Sequence, residues 1–133
     1  MKHFAKKIFL WLIPLFYVPA GINHFVNPDF YIPLIPDYLP SKELLNTLSG
    51  LVEILFGTLF IFVKTRRLAS VGLILMLIAF IPAHVYFIEI GSCVNEALCV
   101  PEWLSFVRLA LIHPLLIGWL MVYINSKKHY FSL

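Results

Sequence analysis

Glu53 stands in the stretch SGLVEILFG, Ser49 to Gly57, inside an apolar run long enough to cross a bilayer. A lone carboxylate there is costly, so other segments must bring it partners. Four more ionisable side chains lie in apolar surroundings: His24, His84, Arg108 and His113. Arg108 is the natural counter-ion of Glu53, since each would be costly to bury alone. A histidine in such a pocket can titrate near neutral pH, which suits acid–base or hydrogen-bonding roles toward a lipid-soluble quinone or a similar ligand. The bland reading is that these groups only lock helix packing. Five ionisable groups exceed what packing needs, so a working polar site is preferred.

Other chemistries fit less well. Histidine and carboxylate suit zinc or iron, yet no two of these residues have the i, i+3 or i, i+4 spacing of di-metal bundles. Arg108 would also repel a cation, so no metal is expected. The chain lacks a GxGxxG, a P-loop, a nucleophile elbow and a haem-attachment CxxCH.

Composition sets the class of the elements that hold these groups. Of 133 residues, 61% are hydrophobic and 13% charged, with mean hydropathy +0.90, whereas soluble domains are about a quarter charged. A water-soluble fold this small has too much surface to hide so much apolar area. The formal charge is +3, but its lysines and arginines cluster between apolar runs. That pattern marks membrane topology, with the lipid bilayer as partner and no nucleic acid. One all-α domain over 1–133 is expected, a four-transmembrane-helix bundle with helices at about 8–26, 42–63, 68–90 and 101–124.

The first run follows the basic MKHFAKK and has the layout of a signal peptide, with Val18-Pro19-Ala20 as a cleavage site. It continues past Ala20, however, and cleavage would leave three spans, so a first membrane helix kinked at Pro14 and Pro19 is expected. Tyr17, Gly21 and His24 share one of its faces. Prolines 28, 33, 36 and 40 then forbid a long helix. Asn27 can cap a short piece starting at Pro28, and the aromatic content predicts a lid in the membrane interface between helices 1 and 2. Ser41 offers an N-cap to the second helix. There Asn46, Ser49/Gly50, Glu53 and Gly57 form a small, polar stripe that should face the bundle. Tyr17, Ser49, Tyr31 and Tyr38 are further cofactor-binding candidates. The basic turn KTRR closes this helix, and Gly91 stops the third.

Four spans put both termini and the 64–67 turn on one side. That side carries Lys2, Lys6, Lys7, Lys64, Arg66, Arg67, Lys127 and Lys128. The other carries Asp29, Asp37, Glu43, Glu89, Glu96 and Glu102 against Lys42 alone. The positive-inside rule therefore places both termini in the cytoplasm. All five ionisable candidates fall in the outer half, which predicts a polar pocket opening outward beneath the lid. Cys93 and Cys99 lie in the outer loop. A structural disulfide is the plain reading in an oxidising compartment, a redox-active pair the alternative. His3 and His129 read as solvated tail residues.

Four stretches in order, GINHFVNPDFYIPLIPDYLP, SGLVEILFGTLFIF, RRLASVGLILMLIAFIPAHVYF and FVRLALIHPLLI, resemble the DoxX-like integral membrane proteins. The likeness is carried by His24, Phe25, Pro28, Pro36, Leu39, Pro40, Ser49, Gly50, Glu53, Arg67, Pro82, Ala83, Arg108 and Leu109. The chain departs from the pattern at His84, where relatives often have Asn, and at His113, where Gln commonly follows the Arg-Leu motif. The resemblance implies a four-helix protein of the bacterial inner membrane. It also implies, for some relatives, links to quinone-coupled sulfur oxidation or to oxidative-stress complexes. Three functions are weighed. A redox-linked subunit with a partner redox protein would bind a quinone or small lipophilic molecule through His24, Glu53, His84, Arg108 and His113. A non-catalytic scaffold would dock a partner enzyme and use the polar cluster as internal glue. A lipid isomerase would set the acid and the histidines to work on a membrane substrate.

Overall fold

The computed structural model describes residues 2–95 and 98–125, with side chains from Lys7 onward except that of Asn95. Glu96, Lys127, Lys128 and His129 lie outside the described residues, as do the side chains of Lys2, His3 and Lys6. Four helices are long and apolar enough to cross a membrane: Lys7–Val26, Lys42–Ile61, Arg66–Glu89 and Glu102–Asn125. The expected all-α four-span bundle is the observed one, and the chain is a multi-pass membrane protein.

In chain order the elements are α1 (Lys2–Val26), α2 (Pro28–Tyr31), α3 (Lys42–Ile61) and α4 (Arg66–Glu89). The fourth span comprises α5 (Glu102–Val107), a π-helical turn (Arg108–Ile112) and α6 (His113–Asn125). A two-stranded antiparallel hairpin, β1 (Cys93–Asn95) and β2 (Leu98–Cys99), precedes it, and Cys93 is disulfide-bonded to Cys99.

Prolines shape the lid. Pro28 opens α2, Pro33 sits in the 3-10 turn Ile32–Leu34, and Pro36 is buried. The two proposed caps do not act as caps: neither Asn27 nor Ser41 makes a side-chain cap bond. Asn27 donates instead to Asn23 Oδ1 at 2.7 Å, and Ser41 turns the chain into α3 through a left-handed backbone, φ 50°. The lid is tied down by Asp37, which accepts from Lys42 Nζ at 2.6 Å and from the Tyr86 hydroxyl at 3.2 Å. The Lys42 ammonium, by hydrogen bond and by charge, holds the Asp37 carboxyl below the usual carboxylate range.

Gly91 ends α4 as expected. With φ 78° it lets its own N–H reach the Ile88 carbonyl and the Ser92 N–H reach the Phe87 carbonyl, the paired bonds of a Schellman motif. At the opposite end, the turn between α3 and α4 is closed by Arg66. Its Nε and Nη2 donate to the Phe60 and Ile61 carbonyls, both at 3.0 Å. A cation bonded to the last carbonyls of α3 also complements that helix's dipole.

α1 packs on α3, α3 on α4, and α4 on α6. The apolar core lies toward the end that holds the 62–65 turn, where Leu10, Ile13, Phe60, Leu73, Leu77 and Leu120 are buried. His24, Asn46, His84 and Arg108 occupy the other half. Large apolar side chains such as Leu15, Phe16, Leu75 and Leu115 are exposed around the bundle, the surface that lipid tails solvate.

Candidate functional site

The contact between α1 and α3 is built from glycines. A methyl group on Gly21 would lie 2.7 Å from the Gly50 carbonyl oxygen, and one on Gly50 would lie 2.8 Å from the Gly21 carbonyl oxygen. Gly57 continues the seam against Tyr17 and Val18. Without side chains, α1 and α3 touch backbone to backbone. The same faces carry His24, one turn from Gly21, and Glu53, one turn from both Gly50 and Gly57. The stripe Asn46–Gly50–Glu53–Gly57 is buried throughout, as the spacing predicts.

His24 is fixed on three sides. Asn46 Nδ2 donates to the His24 carbonyl at 3.0 Å, which turns Asn46 Oδ1 toward His24 Nδ1 at 2.7 Å. An amide oxygen can only accept, so Nδ1 carries a proton. Tyr31 of the lid stacks on the imidazole with ring centroids 3.7 Å apart, and its hydroxyl accepts from Asn23 Nδ2 at 3.0 Å. The remaining nitrogen, Nε2, faces Glu53 Oε2 at 3.7 Å. His24 is 6% exposed and Glu53 6%. In the uncharged state Glu53 holds the acid proton and Nε2 is an acceptor. Moving that proton gives a carboxylate–imidazolium pair. Glu53 Oε2 and the buried Tyr17 hydroxyl, which is within electrostatic reach of Glu53, have no hydrogen-bond partner among the described residues.

The expected pairing of Arg108 with Glu53 does not occur. Arg108 Nη2 donates to His84 Nδ1 at 2.8 Å, and among the described residues no carboxylate forms an ion pair with it. The physical reason is placement: α5 packs on α4, while Glu53 faces α1 from α3. His113 joins Arg108 and His84 instead. Its Nε2 donates to the Leu77 carbonyl at 2.7 Å, and its ring meets that of His84 edge-on at 4.8 Å. Five residues apart, Arg108 and His113 would lie about 140° apart on an α-helix. The π-helical turn, closed by the His113 N–H to the Arg108 carbonyl, brings them to one face. The following Pro114 has no N–H and would crowd the carbonyl four residues back in α geometry.

The polar candidates therefore form two groups, His24–Glu53 with Tyr17 and Tyr31, and His84–Arg108–His113. Ser49 joins neither. It lines an apolar groove of about 330 Å³ between α3 and α4, with Leu48, Val52, Phe56, Leu75 and Phe80. Tyr38 is 71% exposed on the lid and is not brought to either group. Two residues do more than the sequence reading assigns them, Asn46 on the predicted stripe and Arg66 in the basic turn. Asn46 sits two turns before Glu53 on its stripe, and a buried amide on a polar stripe is a signal for a histidine partner. Arg66 reads from the sequence as a topology charge, although it closely follows the end of α3, where a cation can cap carbonyls.

A family model described as "Domain of unknown function (DUF8561)" matches residues 13–123. No curated protein and no solved structure matches the chain.

Proposed function

Because the chain belongs to the DUF8561 family, a domain of unknown function, its activity must be read from the site, and we propose that it binds the polar head of a small lipophilic molecule of the quinone class at Glu53–His24. The observation that carries this reading is the pair of buried, unpartnered oxygens, Glu53 Oε2 and Tyr17 Oη, beside the open nitrogen of His24. Both oxygens can donate to a carbonyl. A quinone head presents two carbonyl oxygens and takes up two protons and two electrons on reduction, the electrons coming from a partner redox protein. Glu53 holds a proton at Oε2, His24 Nε2 receives or returns it, Tyr31 covers the imidazole, and the stacked ring keeps water off that face.

The proposal extends to topology and to kinship. Both termini lie in the cytoplasm of a bacterial inner membrane, and the site opens on the far side. The likeness to DoxX-like proteins rests on the motifs around His24, Glu53 and Arg108.

Binding of decylubiquinone to the purified chain in nanodiscs tests the reading. Wild type should bind saturably, with Glu53→Gln, which has no acidic proton to give the carbonyl or His24, weakening binding about tenfold. A folded wild type that binds no quinone removes the proposal. The second reading, a scaffold glued by this pair, is favoured by the double Asn46–His24 bond. It predicts that Glu53→Gln lowers the unfolding temperature while no ligand binds either form.

A further inference from the structure

Five buried side-chain atoms lack a hydrogen-bond partner among the described residues, and three of them, Ser92 Oγ, Ser105 Oγ and Arg108 Nε, belong to the junction of α4 and α5. Ser105 and Arg108 are three residues apart, neighbours on one face of the fourth span. Ser92 is drawn to the same corner, since its carbonyl accepts from the Val100 N–H at 3.0 Å and its N–H donates to the Phe87 carbonyl at 2.8 Å. The Arg108 guanidinium carbon sits 5.3 Å from the centre of the Phe87 ring. Ser92 is 0% and Ser105 3% exposed.

The chemistry of this corner is weighted toward donors. A guanidinium only donates and stays charged, and a serine hydroxyl can donate. His84 Nδ1 must keep a lone pair to receive the Arg108 bond, so the hydrogen-bond partner of Arg108 brings no negative charge. A partly buried cation without a counter-charge is costly. A tetrahedral oxyanion would supply both the charge and several acceptor oxygens to donors arriving from the turn after α4 and from the fourth span. Arg108 opens the π-helical turn six residues after the start of α5, about 9 Å along the fourth span, within reach of the interface for so long a side chain.

We propose that Ser92, Ser105 and Arg108 form a phosphate-binding site, separate from the Glu53–His24 pair, that takes a phosphate oxyanion from a lipid head group or from solution.

Full-length protein in dodecyl maltoside, washed free of lipid, is titrated with dihexanoylphosphatidylglycerol, dihexanoylglycerol and sodium phosphate. The thermal midpoint and the phosphorus-31 line width are followed. The phosphatidylglycerol should raise the midpoint and broaden saturably, while the phosphate-free dihexanoylglycerol should not. A response to the lipid alone assigns the site to a head group, and a response to sodium phosphate as well extends it to the free anion. Ser105→Ala should weaken binding about tenfold, Arg108→Gln should abolish it, and Arg108→Lys should keep part of it. If Arg108→Gln fails to fold, Ser105→Ala and Arg108→Lys decide. No saturable response from folded wild type overturns the site, and so do variants that bind like wild type.

Discussion

Asn46 determines which nitrogen of His24 meets Glu53. Its amide spans the His24 carbonyl and Nδ1 at 3.0 and 2.7 Å, so the ring cannot flip without losing a bond. Asn46→Ala strands both groups in a buried seam and should cost about 1–3 kcal/mol, read as a lower unfolding midpoint in detergent. It should also weaken quinone-analogue binding, because the imidazole is then free to rotate. Unchanged stability would show that the amide holds nothing. Arg66 makes a parallel case. Two bonds at 3.0 Å to adjacent carbonyls use its planar fork, which a single ammonium cannot reproduce. Arg66→Gln should destabilise by about 1–3 kcal/mol, with Arg66→Lys intermediate, in the same melt. The inward face of Glu53 was legible, because one acid in an apolar run shares its stripe with small residues. Its partner was not. Opposite charge alone named Arg108, whereas the neighbour of α3 on that face is α1.

Helix contacts depend on residues that have no side chain. The Gly21 and Gly50 positions leave no room for a methyl, and in each direction the nearest obstacle includes backbone. Gly21→Ala or Gly50→Ala must push α1 from α3, at about 1–3 kcal/mol for an overpacked contact, and must widen the 3.7 Å separation of His24 and Glu53. Gly118 faces open space, so Gly118→Ala should be neutral or slightly stabilising, since alanine is the better helix former. Melting the three variants together checks this. A Gly21→Ala protein as stable as Gly118→Ala would contradict the backbone seam. The stripe of small residues was readable in the sequence, as were the spans and the glycine stop of α4. The π-helical turn was not. Its cue was the His113-Pro114 step, but a proline in a helix announces a kink more often than a change of pitch, and only the pitch places His113 beside His84.

Charge is distributed along the bundle as unevenly as polarity is. Lys7, Lys64 and Arg67 stand at the end with the apolar core. Asp29, Asp37, Glu43, Glu89 and Glu102 stand at the end with the lid and the hairpin, where Lys42 is already matched by Asp37. Apolar run length made the number of crossings legible, because hydrocarbon tolerates little else than helices. Orientation is a second question, answered by which end the cell retains, and basic residues resist export. The hairpin disulfide supplies a built-in probe, since both Cys93 and Cys99 are exposed. In spheroplasts, reduction followed by a membrane-impermeant maleimide should label both cysteines without lysis. A Lys64→Cys chain carrying serines at 93 and 99 should label only after lysis. The reverse pattern would turn the lid, the Glu53–His24 pair and the Arg108 corner toward the cytoplasm. A quinone site there would draw its protons from the opposite compartment, and the outward-opening site proposed above would fall with the topology.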